Sequence, residues 1–329
     1  MSKGTELVEL WRGELRESTH CGHAVICDRS GVLRAWGDPG AVIYPRSSCK
    51  MIQALPLIES GAADAAGLGT RQLALACASH SGAALHVQGV GDWLAAQGMA
   101  ESDLRCGCHM PRDRDESCRL IRADAQPCQL HNNCSGKHAG FLTLNRHLGG
   151  GAEYVEPDHP VQQAIKAAFE DVTDESSPGF GIDGCSAPNH ACTMAGLGRA
   201  MAAFANPGTD RRGQAMRRLT DAMRRHPELV AGEGRACTIL MRATGGRAVV
   251  KTGAEAVFVA ILPDQGLGIA LKVTDGATRA SEAAITALLL DLGLLSANDP
   301  AVQRFLPRPI RNWRGIATGD LRAAPGFPG

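Results

Sequence analysis

Ser47-Ser48-Cys49-Lys50 is an S-x-x-K, and far downstream Lys251-Thr252-Gly253 is a K-T-G. These are the two ends of a serine acyl-transfer site. On a helix, residues three apart share a face, so Ser47 and Lys50 would point into one site. A free lysine, with a pKa of about 10.4, is a poor base at neutral pH. Burial beside a second ammonium disfavours its charged form and frees the amine to take a serine proton. Lys251 is the candidate for that second ammonium. Each string alone arises by chance; together, in this order, they point to an amide or ester hydrolase.

Upstream of Ser47, residues 7–11, 23–28 and 32–36 read as strands separated by Gly22, Ser30-Gly31 and Gly37. Tyr44-Pro45 closes an extended stretch, because the residue before proline avoids helical angles. A helix is expected from Arg46 or Ser47 to about residue 60, interrupted at Pro56. Further helices are expected over 72–78, 84–96, 159–171, 192–205, 212–225 and 235–243. Residues 101–133 read as a long loop with one helix near 116–122. Beyond it, 247–251, 256–262 and 268–273 read as strands, followed by an apolar helix over 277–292 that stops at Gly293.

Strands at both ends with helices between them predict an α/β (α+β) fold with a mainly antiparallel sheet. The sheet comes from about residues 7–45 and 247–295, and 46–246 form an inserted helical region. Residues 1–306 read as a single domain and 307–329 as a loosely ordered C-terminal tail. This layout places Lys251, at the end of a strand, beside the helix that starts at Ser47.

Hydrophobic residues make up 44% of the 329 and charged residues 21%, an ordinary soluble composition. Thirty-four basic and thirty-four acidic side chains cancel, so nothing supplies the basic footprint of a nucleic-acid binder. The first twenty residues carry charges and no apolar core of a secretory signal. No apolar run approaches the ~18 residues of a membrane span. Twelve cysteines without a signal read as reduced thiols in the cytoplasm rather than a disulfide framework.

Ala78-Ser79-His80-Ser81-Gly82 puts three polar side chains in a row where a helix ends, and Ser79 could form a second serine–lysine pair with Lys251. The alternative is that these serines only cap helices. His131 to His138 is the densest polar cluster, but His131 stands where a phosphate loop needs glycine. Gly179, Gly181 and Gly184 spell G-x-G-x-x-G, yet no apolar strand precedes them and Pro188 spoils a following helix. Cys134 and Cys185 could share a zinc completed by His138, Lys137, Asp183 or water. Buried reduced thiols explain them as well.

Three stretches look like signatures of the Rhizobium etli-type L-asparaginases: residues 44–50, residues 78–82 and Asn133-Cys134-Ser135-Gly136-Lys137-His138-Ala139-Gly140. Gly181-Ile182-Asp183-Gly184-Cys185-Ser186-Ala187-Pro188 and Lys251-Thr252-Gly253-Ala254-Glu255 add two more, and the likeness runs in order from about residue 7 to 295. The resemblance implies a fold similar to serine β-lactamases and glutaminases. It implies hydrolysis of L-asparagine to L-aspartate and ammonia, with Ser47 as nucleophile and Lys50 as its base. Ser79 and Lys251 would be the second serine–lysine pair. Cys134, Lys137 and Cys185 match the family's zinc ligands, with water as the fourth. Arg46, His138 and Asp183 fall where the family lines its substrate pocket, with Cys237 in the same surroundings. The family also implies a homodimer. Rival readings are a glutaminase or other small-amide hydrolase, a zinc-dependent binding protein without turnover, and β-lactam acylation of Ser47.

Overall fold

The computed structural model describes residues 4–329, and the chain forms two compact units. The first takes the chain up to Ser48 together with Cys192–Asn206 and Ile239–Gly329. The second takes Cys49–Ala191 and Pro207–Thr238. In chain order the strands begin with β1 (Thr5–Arg12), β2 (Leu15–Asp28), β3 (Gly31–Trp36) and β4 (Val42–Ile43). Then come β5 (Phe180–Ile182), β6 (Pro188–His190), β7 (Cys192–Thr193) and β8 (Val249–Thr252). The last four are β9 (Val257–Leu262), β10 (Leu267–Val273), β11 (Arg308–Arg311) and β12 (Ala317–Ala323).

The first unit is built on one antiparallel sheet in the order β11-β12-β1-β2-β10-β9-β8, with β3 on β2. The mainly antiparallel sheet expected from both ends of the chain is thus the one observed. Every residue of β9 is buried, so both faces of the sheet are covered at that strand. Helices Met194–Ala205 and Thr278–Asp291 both pack on β9 and β10, one from each face. Met194–Ala205 comes close because a Cβ on Gly268 would lie 2.1 Å from the Ala202 nitrogen. Each of the Val, Ile, Leu and Phe side chains enclosed this way contributes about 1.5–3 kcal/mol.

Two readings of this unit need correction. β2 starts at Leu15, well before residue 23, because Leu15–Gly22 is polar and exposed at first and carries no apolar alternation. Residues 308–323 are not a loose tail: β12 pairs with β1 from Val8↔Ala323 to Arg12↔Gly319, and β11 closes on β12. The arginine-rich edge hairpin buries little besides Leu321, so its sequence lacks a strand signature.

The second unit is helical. Ser135–Leu148 is its central helix, buried at every position from Ser135 to Asn145. Gly136 and Gly140 lower helix propensity there and hid it in the sequence. Asp113 caps Arg114–Arg122, Asp210 caps Arg211–Arg225, and His159 caps Pro160–Thr173 with Pro160 at its first position. After a 3₁₀ turn at Arg46–Cys49, helix Lys50–Gln53 gives way at Ala54 to Leu55–Glu59, the interruption expected near Pro56. No helix among the described residues is long and apolar enough to cross a membrane.

Candidate active site

The first unit holds Arg46, Ser47 and Lys251. Ser47 is half-buried in the Arg46–Cys49 turn, whose entry bends through a left-handed Arg46 with φ of 52°. Ser48 is fully buried, its hydroxyl donating to the Pro45 carbonyl at 2.7 Å. The K-T-G lies directly against this turn. A Cβ on Gly253 would meet the Pro45 carbonyl at 2.6 Å and the Ser48 nitrogen at 3.1 Å, so only glycine fits. Lys251 is 1% exposed and its ammonium donates to the Thr252 carbonyl at 2.7 Å.

The sheet register adds a group the sequence reading missed. Lys251, Val259 and Ala270 form one row, and Lys272 and His23 pair two residues along on the same face. Lys272 donates to the Glu255 carbonyl. Burial lowers its pKa, carboxylates Glu255 and Asp275 oppose that, and the Arg46 guanidinium lowers it further. A lone lysine in the apolar strand Leu267–Val273 was the signal available for it.

The second unit holds Lys50, Ser79, Cys134, Lys137, His138, Asp183, Cys185 and Cys237. Lys50 is 1% exposed; its Nζ donates to the Ala78 carbonyl and to Cys134 Sγ at 3.1 Å. Ser79 follows Ala78 and is fixed by its backbone N–H on the Val230 carbonyl at 2.9 Å. Lys137 Nζ lies 3.0 Å from Cys185 Sγ. The two sulfurs share a proton: Cys134 is pushed up by its hydrogen bond to Cys185 and by burial. Cys185 is pulled well below the usual thiol range by that same bond, and Lys137 and His138 support the shift against burial. Burial works to lower the Lys137 pKa, but the Cys185 and Cys134 charges outweigh it and raise the value, with Asp183 adding to their field.

His138 is oriented by a residue not anticipated from the sequence. Tyr154 Oη accepts from the Arg105 N–H at 2.8 Å and is hydrogen-bonded to His138 Nδ1 at 2.9 Å. Tyr154 is one of only two tyrosines in the chain. Asp183 is half-buried, accepting from the Gly184 N–H at 2.7 Å and from the Asn189 amide at 3.3 Å. Cys237 is buried in helix Ala236–Ala243.

His80 is buried with its pKa well below the usual histidine range, through burial first and nearby positive groups second. The Gly82 N–H donates to its Nδ1, so Nε2 carries the proton and gives it to Ser135 Oγ at 2.9 Å. Ser135 in turn donates to the Leu130 carbonyl. This chain ties the residue after Ser79 to the residue after Cys134.

Among the described residues no group of three or more His, Cys, Asp or Glu is placed to hold a metal. Cys134, Lys137 and Cys185 reach three donors only through the lysine amine. Their chemistry fits zinc, since two sulfurs and a nitrogen are what a borderline-soft cation prefers. The Lys137 proton must leave for that, so metal would be favoured by rising pH.

The model of the L-asparaginase II family matches residues 8–323. The chain belongs to the L-asparaginase II family. This is the family that the five motifs resemble, and its members' chemistry makes the chain an amidohydrolase. No curated protein matches it. Among solved structures, a beta-lactamase from Mycobacterium bovis aligns over 83% of this chain and 95% of its own, at 13% identity and a TM-score of 0.46. Mglu aligns over 84% of this chain and 68% of its own, at 12% identity and a TM-score of 0.47.

Proposed function

We propose that this amidohydrolase converts L-asparagine to L-aspartate and ammonia through a serine acyl-enzyme, with Ser47 as nucleophile and Lys50 as its general base. The observation that carries the proposal is the seating of Gly253 against the turn that bears Ser47. It sets the K-T-G backbone against Pro45 and Ser48, which flank the Arg46-Ser47 step, and so supports acyl transfer on this motif pair. Lys50 fits its part because two donor contacts, to Ala78 and Cys134, leave the nitrogen one further position. In the neutral amine that position is the lone pair a base uses.

Ser47 Oγ attacks the side-chain amide carbon while its proton passes to Lys50 Nζ. Backbone N–H groups hold the oxyanion. The proton then moves to the amide nitrogen, the C–N bond breaks and ammonia leaves. Water attacks the resulting ester, gives a proton to Lys50, and the collapse restores Ser47 and releases aspartate. Ser79 and Lys251 serve as a second serine–lysine pair in these transfers. Arg46 pairs with the substrate α-carboxylate, Asp183 and His138 orient the substrate amine end, and Cys237 belongs to the same surroundings.

Ammonia release from asparagine and glutamine tests this. Ser47→Ala and Lys50→Met should each lower kcat by about a thousandfold or more while ligand binding survives in calorimetry. Undiminished release by either variant would remove the mechanism. An equal kcat/KM on glutamine would move the substrate assignment, since one methylene is worth only about 1–3 kcal/mol.

Zinc held by Cys134, Lys137 and Cys185 would supply the positive charge that keeps both sulfurs as thiolates. Cys134→Ser should then lower the zinc content in elemental analysis from one per chain towards zero. Unchanged stoichiometry would refute that ligand set.

A further inference from the structure

A cavity of about 590 Å³ in the sheet unit is lined by Arg12, Arg279, Arg308 and Arg311, with Glu17 as its one acidic side chain. The lining therefore carries a net charge of +3, and Glu17 is already taken by Arg12 at 2.8 Å. Guanidinium groups gathered in one concavity repel each other, and an anion placed among them relieves that cost. The volume lies within the roughly 300–1,000 Å³ of small-molecule sites.

Three of the four arginines are held in place. Arg279 Nε donates to His20 Nε2 at 3.1 Å, so the His20 proton sits on Nδ1 and goes to Asp275 at 2.5 Å. His20 is 5% exposed and links the exposed Asp275 and Arg279, which leaves the terminal nitrogens of Arg279 for the cavity. Arg12 is braced by both Glu17 oxygens and by Thr318 Oγ1 at 3.3 Å. Arg311 is tied back to the Gly315 carbonyl at 2.8 Å. Held forks of this kind match the oxygens of a phosphate two at a time. Pro309 and Ile310 supply an apolar side to the same cavity.

We propose that this cavity binds a small organic phosphate: a polyanionic head between Arg279, Arg308 and Arg311, and an organic body against Pro309 and Ile310. It uses none of the residues assigned to amide hydrolysis and stands or falls independently of that reading. The test is calorimetric titration of the full chain with ATP, inorganic pyrophosphate and adenosine at low and moderate salt. ATP should bind most tightly, pyrophosphate more weakly and adenosine not at all, with affinity falling as salt rises. Pyrophosphate binding as tightly as ATP would overturn the organic body. No heat from either phosphate would overturn the site. Arg279→Gln and Arg308→Gln should each weaken ATP by about tenfold. Arg308→Gln should leave the thermal melt unchanged, and both should leave ammonia release without ATP unchanged. Wild-type ATP affinity in both variants would place binding elsewhere and refute the proposal.

Discussion

Cys27 in the sheet unit and Cys185 in the helical unit are both buried, yet their thiols move in opposite directions. Burial pushes Cys27 up to about 11, because its surroundings are apolar and no cation outweighs the loss of water. Cys185 is pulled far down by the proton it shares with Cys134 and by Lys137 and His138. Burial alone therefore does not set a group's charge; the company does. The sheet unit is an apolar frame that presents a few cations on one face. The helical unit keeps lysines, thiols and histidines inside and must hold their charges in balance.

Four substitutions sharpen or break that contrast. The largest effect should come from Cys185→Ala, which leaves the Lys137 ammonium buried without its thiolate. In chelator-containing buffer it should cost about 3–5 kcal/mol in urea unfolding. Cys27→Ala, the same change in the frame, should cost about 1 kcal/mol. Equal losses would erase the distinction.

Gly253→Ala comes next. Its Cβ would push the K-T-G away from the Ser47 turn, and small misplacements there are expensive. About a hundredfold loss in kcat/KM for asparagine is expected, with the urea midpoint little changed. Full activity would mean that the frame contributes nothing to the chemistry.

The smallest effect concerns pH. Burial keeps the His80 and His86 pKa values below the unfolded value of about 6.5. Below that pH the unfolded chain takes up protons that the folded one refuses. Stability is therefore complete above about pH 6.5 and declines as pH falls through it. Each histidine adds a slope of up to about 1.4 kcal/mol per pH unit. His80→Gln should flatten the decline in denaturation series at pH 7.5, 6.0 and 5.0; an identical slope would exonerate His80.

The frame was largely legible because β9, β10 and Thr278–Asp291 are apolar enough to announce themselves. What escaped was whatever owes its structure to a neighbour. The first half of β2 is polar and is held by β1, and the Arg308–Ala323 hairpin is recruited to an edge by β1. Ser135–Leu148 is helical because it is enclosed, against its glycines. In the site, S-x-x-K and K-T-G stood out as strings. The contacts of Lys50 with the Ala78 carbonyl and Cys134, and the grip of Tyr154 on His138, could not be seen. Those pairings depend on side-chain reach across segments that no local pattern links.

The strand order β12-β1-β2-β10 has a consequence for biosynthesis. Thr5–Asp28 leaves the ribosome long before either flanking partner is made. Until then the nascent hairpin carries two open edges, each able to recruit a stray strand. Cells making this chain must keep those edges from one another, and slower elongation or a scarcity of holding chaperones should appear first as insoluble product.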